Sequence, residues 1–190
     1  MVFVLTAGAL FASHDLFAAG ANTPDYRIIS SNAQEMVVEY KPAYAPTDTL
    51  TIDGKRYLRF HFRDESEIHP GKAGTPDILG RAFTLGLPSF TGNSVQIISA
   101  EYETVQGIPA PVPELVHDSY KVDVTEKYIV NDVAYRSAAS FPSAPAAIQD
   151  FGMMRNERVG ALVFFPIQYS AGTPVIRKAT RIIARVRFGA

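Results

Sequence analysis

The segment RIIARVRFG, residues 181–189, alternates strictly enough to exclude a helix. Ile182, Ala184, Val186 and Phe188 are apolar, while Arg181, Arg185 and Arg187 share the other parity with Ile183. Successive side chains of a strand point to opposite faces. A helix would scatter the arginines around its cylinder. The segment is therefore a strand with one face for a core and one cationic face, and any function of its arginines depends on what surrounds that second face.

The same short period recurs from Asp25 onward. DYRIIS and EMVVEY are the first two runs, and TLTIDGKRYLRFHF (49–62) is a hairpin turning at Asp53-Gly54. A type I′ turn needs positive φ at both central residues, which Asp-Gly supplies. On its second arm Tyr57, Arg59, His61 and Arg63 fall on one face, and Leu58, Phe60 and Phe62 on the other. Further strands are expected at 82–87, 94–102, 120–124, 127–130, 159–165, 175–178 and 180–188. Only AAIQDFGMM (146–154) suggests a short turn of helix, ended by Gly152. Two proline-rich stretches, IPAPVPEL (108–115) and FPSAPAA (141–147), cannot be central strands, because proline lacks the ladder's donor. Strands about ten residues apart with Gly and Pro punctuation predict an all-β fold: a two-sheet antiparallel β-sandwich with long proline-rich crossovers over the surface or between the sheets.

The 190 residues fit one domain large enough to bury a core. Net charge is only −1, but it is uneven: 151–190 carry seven basic residues against Glu157 alone, and the rest hold 11 against 18. Two opposite halves within one domain pair with each other or with a polar partner. A nucleic-acid partner is not expected, since the basic stretch lacks surface aromatics to stack on bases. The absence of cysteine removes disulfides, thiol nucleophiles and Cys-ligated metals. At the N-terminus, VFVLTAGALFA (2–12) has the length of a signal-peptide core, and Ala19 and Ala21 stand at the two positions a signal peptidase reads. The expectation is a signal peptide over 1–21 and a single domain over 22–190, with a buried N-terminal strand or helix as the alternative. The apolar run is too short for a stable membrane anchor.

Chemistry is sparse. Of the histidines, His14 leaves with the signal, and His61 reads as an outward, solvated strand residue. His69 lies in RDESEIHPGKAGTPD (63–77), an acidic loop without the spacing of a calcium site. His117-Asp118 lacks a serine in a nucleophile elbow. HPGKAGTP is no phosphate loop, having Ala73 where Ser or Thr must hold magnesium. Glu101 and Glu103 share a strand face and suit an exposed sheet better than paired acid–base work. Neither a catalytic set, a metal site nor a cofactor is expected.

The order of motifs resembles the N-terminal prodomain of gingipain-type cysteine peptidases. It is carried by DYRIIS…MVVEY, IDGKRYLRFHF, HPGKAGTPDILGRAFTLGLP, ISAEYETVQGIPAPVPEL, YKVDVTEKYIVNDVAY and RNERVGALVFFPIQYSAGTPVIRKATRIIARVRF. Within the last, Arg158, Pro166, Gln168 and Tyr169 precede the arginine-bearing strand. Two departures stand out: Asp77 follows Pro76 where the family has Leu-Pro, and Ser170-Ala171 replaces Asn-Pro. The resemblance implies a β-sandwich that assists folding of a cognate cysteine peptidase catalytic domain and inhibits it, in cis or in trans. It also implies export to the periplasm, cell surface or medium, in the family mostly by the type IX system of Bacteroidota-like organisms. A basic side chain would enter the protease's specificity pocket, with Lys72 and Arg81 as candidates, and release would follow cleavage near Arg185 or Arg187. Those arginines read equally as the wet face of the last strand. The alternative function is a secreted glycan- or protein-binding module using exposed tyrosines such as Tyr44, Tyr102 and Tyr135. A hydrolase with an unrecognised site is the third.

Overall fold

The computed structural model describes residues 25–64, 66–89, 91–117, 124–136, 140–170 and 174–189. The N-terminal apolar run, Ala19, Ala21 and the strand expected at 120–123 lie outside them. In chain order the strands are β1 (Tyr26–Ser31), β2 (Glu35–Tyr40), β3 (Asp48–Ile52), β4 (Lys55–Arg59), β5 (Arg81–Gly86) and β6 (Ser94–Gln106). After these come β7 (Glu114–His117), β8 (Val124–Lys127) and one helical turn, α1 (Asp132–Arg136), capped by the Asn131 side chain. The chain closes with β9 (Ser140–Phe141), β10 (Ala146–Met154), β11 (Glu157–Phe164), β12 (Ile167–Ser170) and β13 (Val175–Arg187).

β13 is the spine. The two strands expected at 175–178 and 180–188 are one element of 13 residues. β6 lies along its whole length on one edge. On the other edge β12 pairs with its first part and β2 with its second, β2 in turn pairing with β1. With β9 beside β12 this makes a six-stranded antiparallel sheet. β10, β11 and β5 form the second sheet, and the β3–β4 and β7–β8 hairpins stand as two small ones. The larger sheets bury a common core. Met36, Val38 and Tyr40 from β2 and Ile182, Ala184 and Val186 from β13 meet Leu85 of β5, Ala146 of β10 and Leu162 and Phe164 of β11. Tyr40 stacks on Phe164, with Phe83 edge-on to both. The expected sandwich is present, and the parity read from 181–188 is the observed one: Ile182, Ala184 and Val186 are wholly buried.

The first hairpin turns at Asp53 and Gly54, both at positive φ (48° and 75°). Its second arm departs from simple alternation, because Tyr57 is buried while Leu58 is half-buried. Tyr57 packs edge-on against Tyr135. Phe60 and Phe62 enter a second cluster with Ile78, Leu79, Ile167, Tyr169 and Ile176.

One sequence expectation fails here, and another resolves to one of its alternatives. Residues 146–154 are strand β10, not a turn of helix; Gly152, at φ 93°, ends nothing and instead lies beside a bulge opposite Val159. The apparent helical spacing arises because the bulge breaks the two-residue period. Of the two placements expected for the proline-rich crossovers, the stretch 108–112 takes the inner one, not the surface. Pro109 and Pro111 are among the most buried side chains, and Ala110 is 1% exposed. Proline at alternate positions leaves the residues between free to bond. Ala110 donates to Leu58 and accepts from Asp77, while Val112 donates to Thr75 and accepts from Gly74. The result is a buried strap tying β4 to the 74–77 loop.

Candidate functional site

Charge on the outer face of the six-stranded sheet is organised in cross-strand pairs. Arg181 of β13 donates to Glu39 of β2 at 2.7 Å and to Glu101 of β6 at 3.0 Å. Arg27 of β1 reaches the same Glu39 at 2.8 Å. Lys178 meets Glu103 at 2.5 Å, and Arg185 lies 3.4 Å from Glu35. Glu39 is 5% exposed, so its carboxylate needs these partners. The Arg181 hydrogen bond holds it below the usual carboxylate range, burial working the other way and Arg27 and Lys41 assisting. The two oppositely charged parts of the chain thus neutralise each other across one sheet. Glu101 and Glu103 are ion-pair partners on an exposed face, as their shared parity suggested.

The candidate pocket-filling cations differ sharply. Arg81 is fixed: its guanidinium pairs with Asp64 at 2.7 Å and lies over the Phe83 ring. Lys72 is exposed and has no ion-pair partner among the described residues. Its loop is stiff, since Gly74 and Thr75 bond the strap at Val112, and the Thr75 hydroxyl donates to the Lys72 carbonyl. A Cβ at Gly71 would sit 2.8 Å from the Val112 methyl, so the loop hugs the strap at a position only glycine allows. Beside Lys72 opens an apolar cavity of about 320 Å³ walled by Pro70, Ile78, Phe141, Pro142 and Phe165. The geometry presents one ammonium group at the rim of an apolar depression.

Below that loop lies a polar network legible in the sequence only as scattered residues. His69 Nδ1 is 2.8 Å from Asp77 Oδ1, and Asp77 is buried. This gives the unusual residue after Pro76 a structural reason. The hydrogen bond to Asp77 pushes His69 above the ordinary histidine value, against the opposing effect of burial. His61 is not the solvated residue expected from its parity; its ring lies between Glu67 (Nδ1 to Oε1, 3.1 Å) and Asp48 (Nε2 to Oδ2, 3.4 Å). Arg59 donates to both Glu126 oxygens at 3.2 Å and to the Tyr128 hydroxyl at 2.8 Å, fastening β8 to β4. Among the described residues no cluster of three or more His, Cys, Asp or Glu could hold a metal ion. The tyrosines expected to be exposed are engaged. Tyr44 donates to the Ala179 carbonyl, Tyr135 to the Pro109 carbonyl, and Tyr102 lies under Arg177.

Of the two arginines suggested as processing points, Arg185 is third from the end of β13, paired with Val37 on one side and Gln96 on the other. Arg187 is the last residue of the strand and its side chain is exposed.

Among the described residues, then, many ionisable groups face one another in structural pairs, while Lys72 and Arg155 stand on loops without an ion-pair partner. By family this β-module is a peptidase propeptide: the chain belongs to the Propeptide_C25 family, whose model matches residues 18–190. No curated protein matches the chain. Two solved structures share the fold. One is described as a complex of Porphyromonas gingivalis RgpB pro- and mature domains, with TM-score 0.76 and 19% identity over 88% of this chain and 85% of that one. The other concerns the zymogenic latency of gingipain K from Porphyromonas gingivalis, with TM-score 0.68 and 14% identity over 88% of this chain and 95% of that one.

Proposed function

We propose that the chain is the prodomain of an exported gingipain-like cysteine peptidase, assisting its folding and holding it inactive until cleaved. The observation that carries this reading is the match, over most of the chain, to a fold seen in a complex of pro- and mature domains. The module is the domain from residue 22 onward, behind a signal peptide over 1–21 cut after Ala21. Among the described residues no helix is long and apolar enough to cross a membrane.

Inhibition works by occlusion. A contact of about 1,600 Å² is enough to hold a standard protein–protein complex. Within it a basic side chain enters the specificity pocket of the peptidase, and Lys72 is better placed for that than Arg81. Arg81 would first have to abandon Asp64 and the Phe83 face. Lys72 needs no such release, and its anchored loop loses little freedom on binding, which favours affinity. An ammonium group suits a pocket with an acidic floor as a compact point charge. Glycan recognition gains no support from Tyr44 and Tyr135, whose hydroxyls are bonded, or from Tyr102, whose ring lies under Arg177.

The test adds the purified chain to a gingipain-like catalytic domain and measures residual activity and refolding yield. Inhibition at micromolar concentration together with improved refolding is expected. Neither effect at that concentration would end the proposal.

A further inference from the structure

The depression beside Lys72 is formed before any ligand arrives. Its walls are the rings of Pro70, Phe141, Pro142 and Phe165 with the Ile78 side chain, and Ile78 and Phe165 are buried. Proline rings have no rotamer freedom to lose on binding. The loop that frames the mouth is tied down along its length. Gly74 donates to the Val112 carbonyl at 2.9 Å, Val112 to the Thr75 carbonyl at 2.9 Å and Asp77 to the Ala110 carbonyl at 2.7 Å. On another wall the Phe165 N–H donates to the Pro145 carbonyl at 2.8 Å. Thr75 spends its polar groups on the loop itself: its hydroxyl and its N–H both donate to the Lys72 carbonyl, at 2.7 and 3.0 Å. Of the described residues lining the depression, Lys72 alone is charged, and its ammonium has no ion-pair partner among the described residues.

From this union of a preformed apolar hollow with one unpaired ammonium we infer that the depression is a binding site for a compact amphiphilic carboxylate. Its apolar body lies among the rings and its head on Lys72 Nζ. Three features select that class. The volume of about 320 Å³ stands at the small end of small-molecule pockets, about 300–1,000 Å³, so the body is of medium-chain length and not that of a phospholipid. Sugars and nucleotides carry hydroxyls and ring nitrogens that need partners, and walls of proline, phenylalanine and isoleucine would leave them unsatisfied. A neutral apolar molecule would leave the ammonium unused, whereas a carboxylate gains a charge-assisted hydrogen bond there. Water held against such walls makes few hydrogen bonds, so its displacement by an apolar chain favours binding. The site goes beyond the prodomain reading and does not need it. One consequence alone rests on that reading: ligand and peptidase would compete for Lys72, since one ammonium cannot serve both.

Titration of the isotope-labelled full chain with decanoate, followed through amide chemical shifts, tests the site. Shifts should concentrate at Gly71, Lys72, Thr75 and Ile78. Decanol, with the same body and no charge, and acetate, with the head alone, should each bind about tenfold more weakly or worse, the lower end of what one hydrogen bond to a charged group supplies. Lys72→Gln should weaken decanoate by about the same factor and leave decanol where it was. Lys72→Glu should exchange the preference, so that decylammonium shifts the same amides and decanoate does not. Lys72 is exposed, so neither substitution threatens the fold. Silent amides at millimolar decanoate, shifts centred elsewhere on the surface, equal affinity for decanoate and decanol, or a Lys72→Glu chain that still prefers decanoate would overturn the assignment. The titration involves no peptidase, so the site and the prodomain reading fail separately.

Discussion

The molecule treats its cations in two ways, and the contrast between β13 and the two protruding loops shows what decides. On β13, Arg181, Arg185 and Lys178 stand on a flat sheet with strands on both sides, so carboxylates of β2 and β6 come within ion-pair distance of each. At Lys72, and at Arg155 on the turn joining β10 to β11, the side chains are exposed and have no ion-pair partner among the described residues. The β10–β11 end is also apolar, with Phe151, Met153 and Met154 more than half exposed. A cation on a flanked strand specifies register, whereas a cation on a projecting loop is available to another molecule.

Substitution can break this contrast at its base. Phe164, fully buried and stacked on Tyr40 at 4.9 Å, belongs to the core that holds both sheets. Phe164→Ala should cost about 3–5 kcal/mol in urea unfolding. Phe151→Ala at the exposed hairpin should cost less than about 0.5 kcal/mol. A similar loss from both would mean that the hairpin end is part of the core.

Glu39→Gln addresses the paired cations. Since the Glu39 carboxyl titrates below its unfolded value, its contribution is present at neutral pH and lost as pH falls through the folded value. The melting temperature of the variant should therefore lie below wild type at pH 7, and the gap should narrow as pH falls below the ordinary carboxylate range. A gap that does not narrow as pH falls below that range would show that the network contributes no charge-dependent stability.

His69→Gln gives a smaller effect of opposite sign in pH. A raised histidine pKa means that stability is fully present below about 6.5, the ordinary value, and fades as pH rises through the folded value. The gap between wild type and variant should be largest near pH 5.5 and shrink by pH 8.5. A gap that grows toward alkaline pH would refute the His69–Asp77 assignment. Smallest in stability is Lys72→Ala, expected within about 0.5 kcal/mol of wild type yet weakening inhibition in trans. Unchanged inhibition would move the pocket-filling role to another basic residue.

How much of this the sequence disclosed follows from how local each feature is. The parity of 181–188 and the Asp53-Gly54 turn depend on neighbours a few residues apart, and both appear as expected. The pairing of β2 with β13 joins residues more than 140 positions apart, so no local pattern encodes it. The bulge beside Gly152 disguised β10 by shifting the phase of its alternation. Proline's lack of a donor keeps 108–112 out of a central strand. The composition does not show that alternate prolines leave every other residue able to bond, so the inner rather than the surface course is visible only in the fold. At the candidate site, Lys72 stood out by loop context, but the partners of Arg81, His61 and His69 come from chain reversals that only the fold brings together.

The position of β13 has a consequence for synthesis. The strand in the middle of the large sheet is the final strand of the domain, so β2, β6 and β12 have no shared partner until residues 175–187 leave the ribosome. Long-range pairing of this kind forms slowly. A nascent domain of this design completes its large sheet only when residues 175–187 pair with β2, β6 and β12.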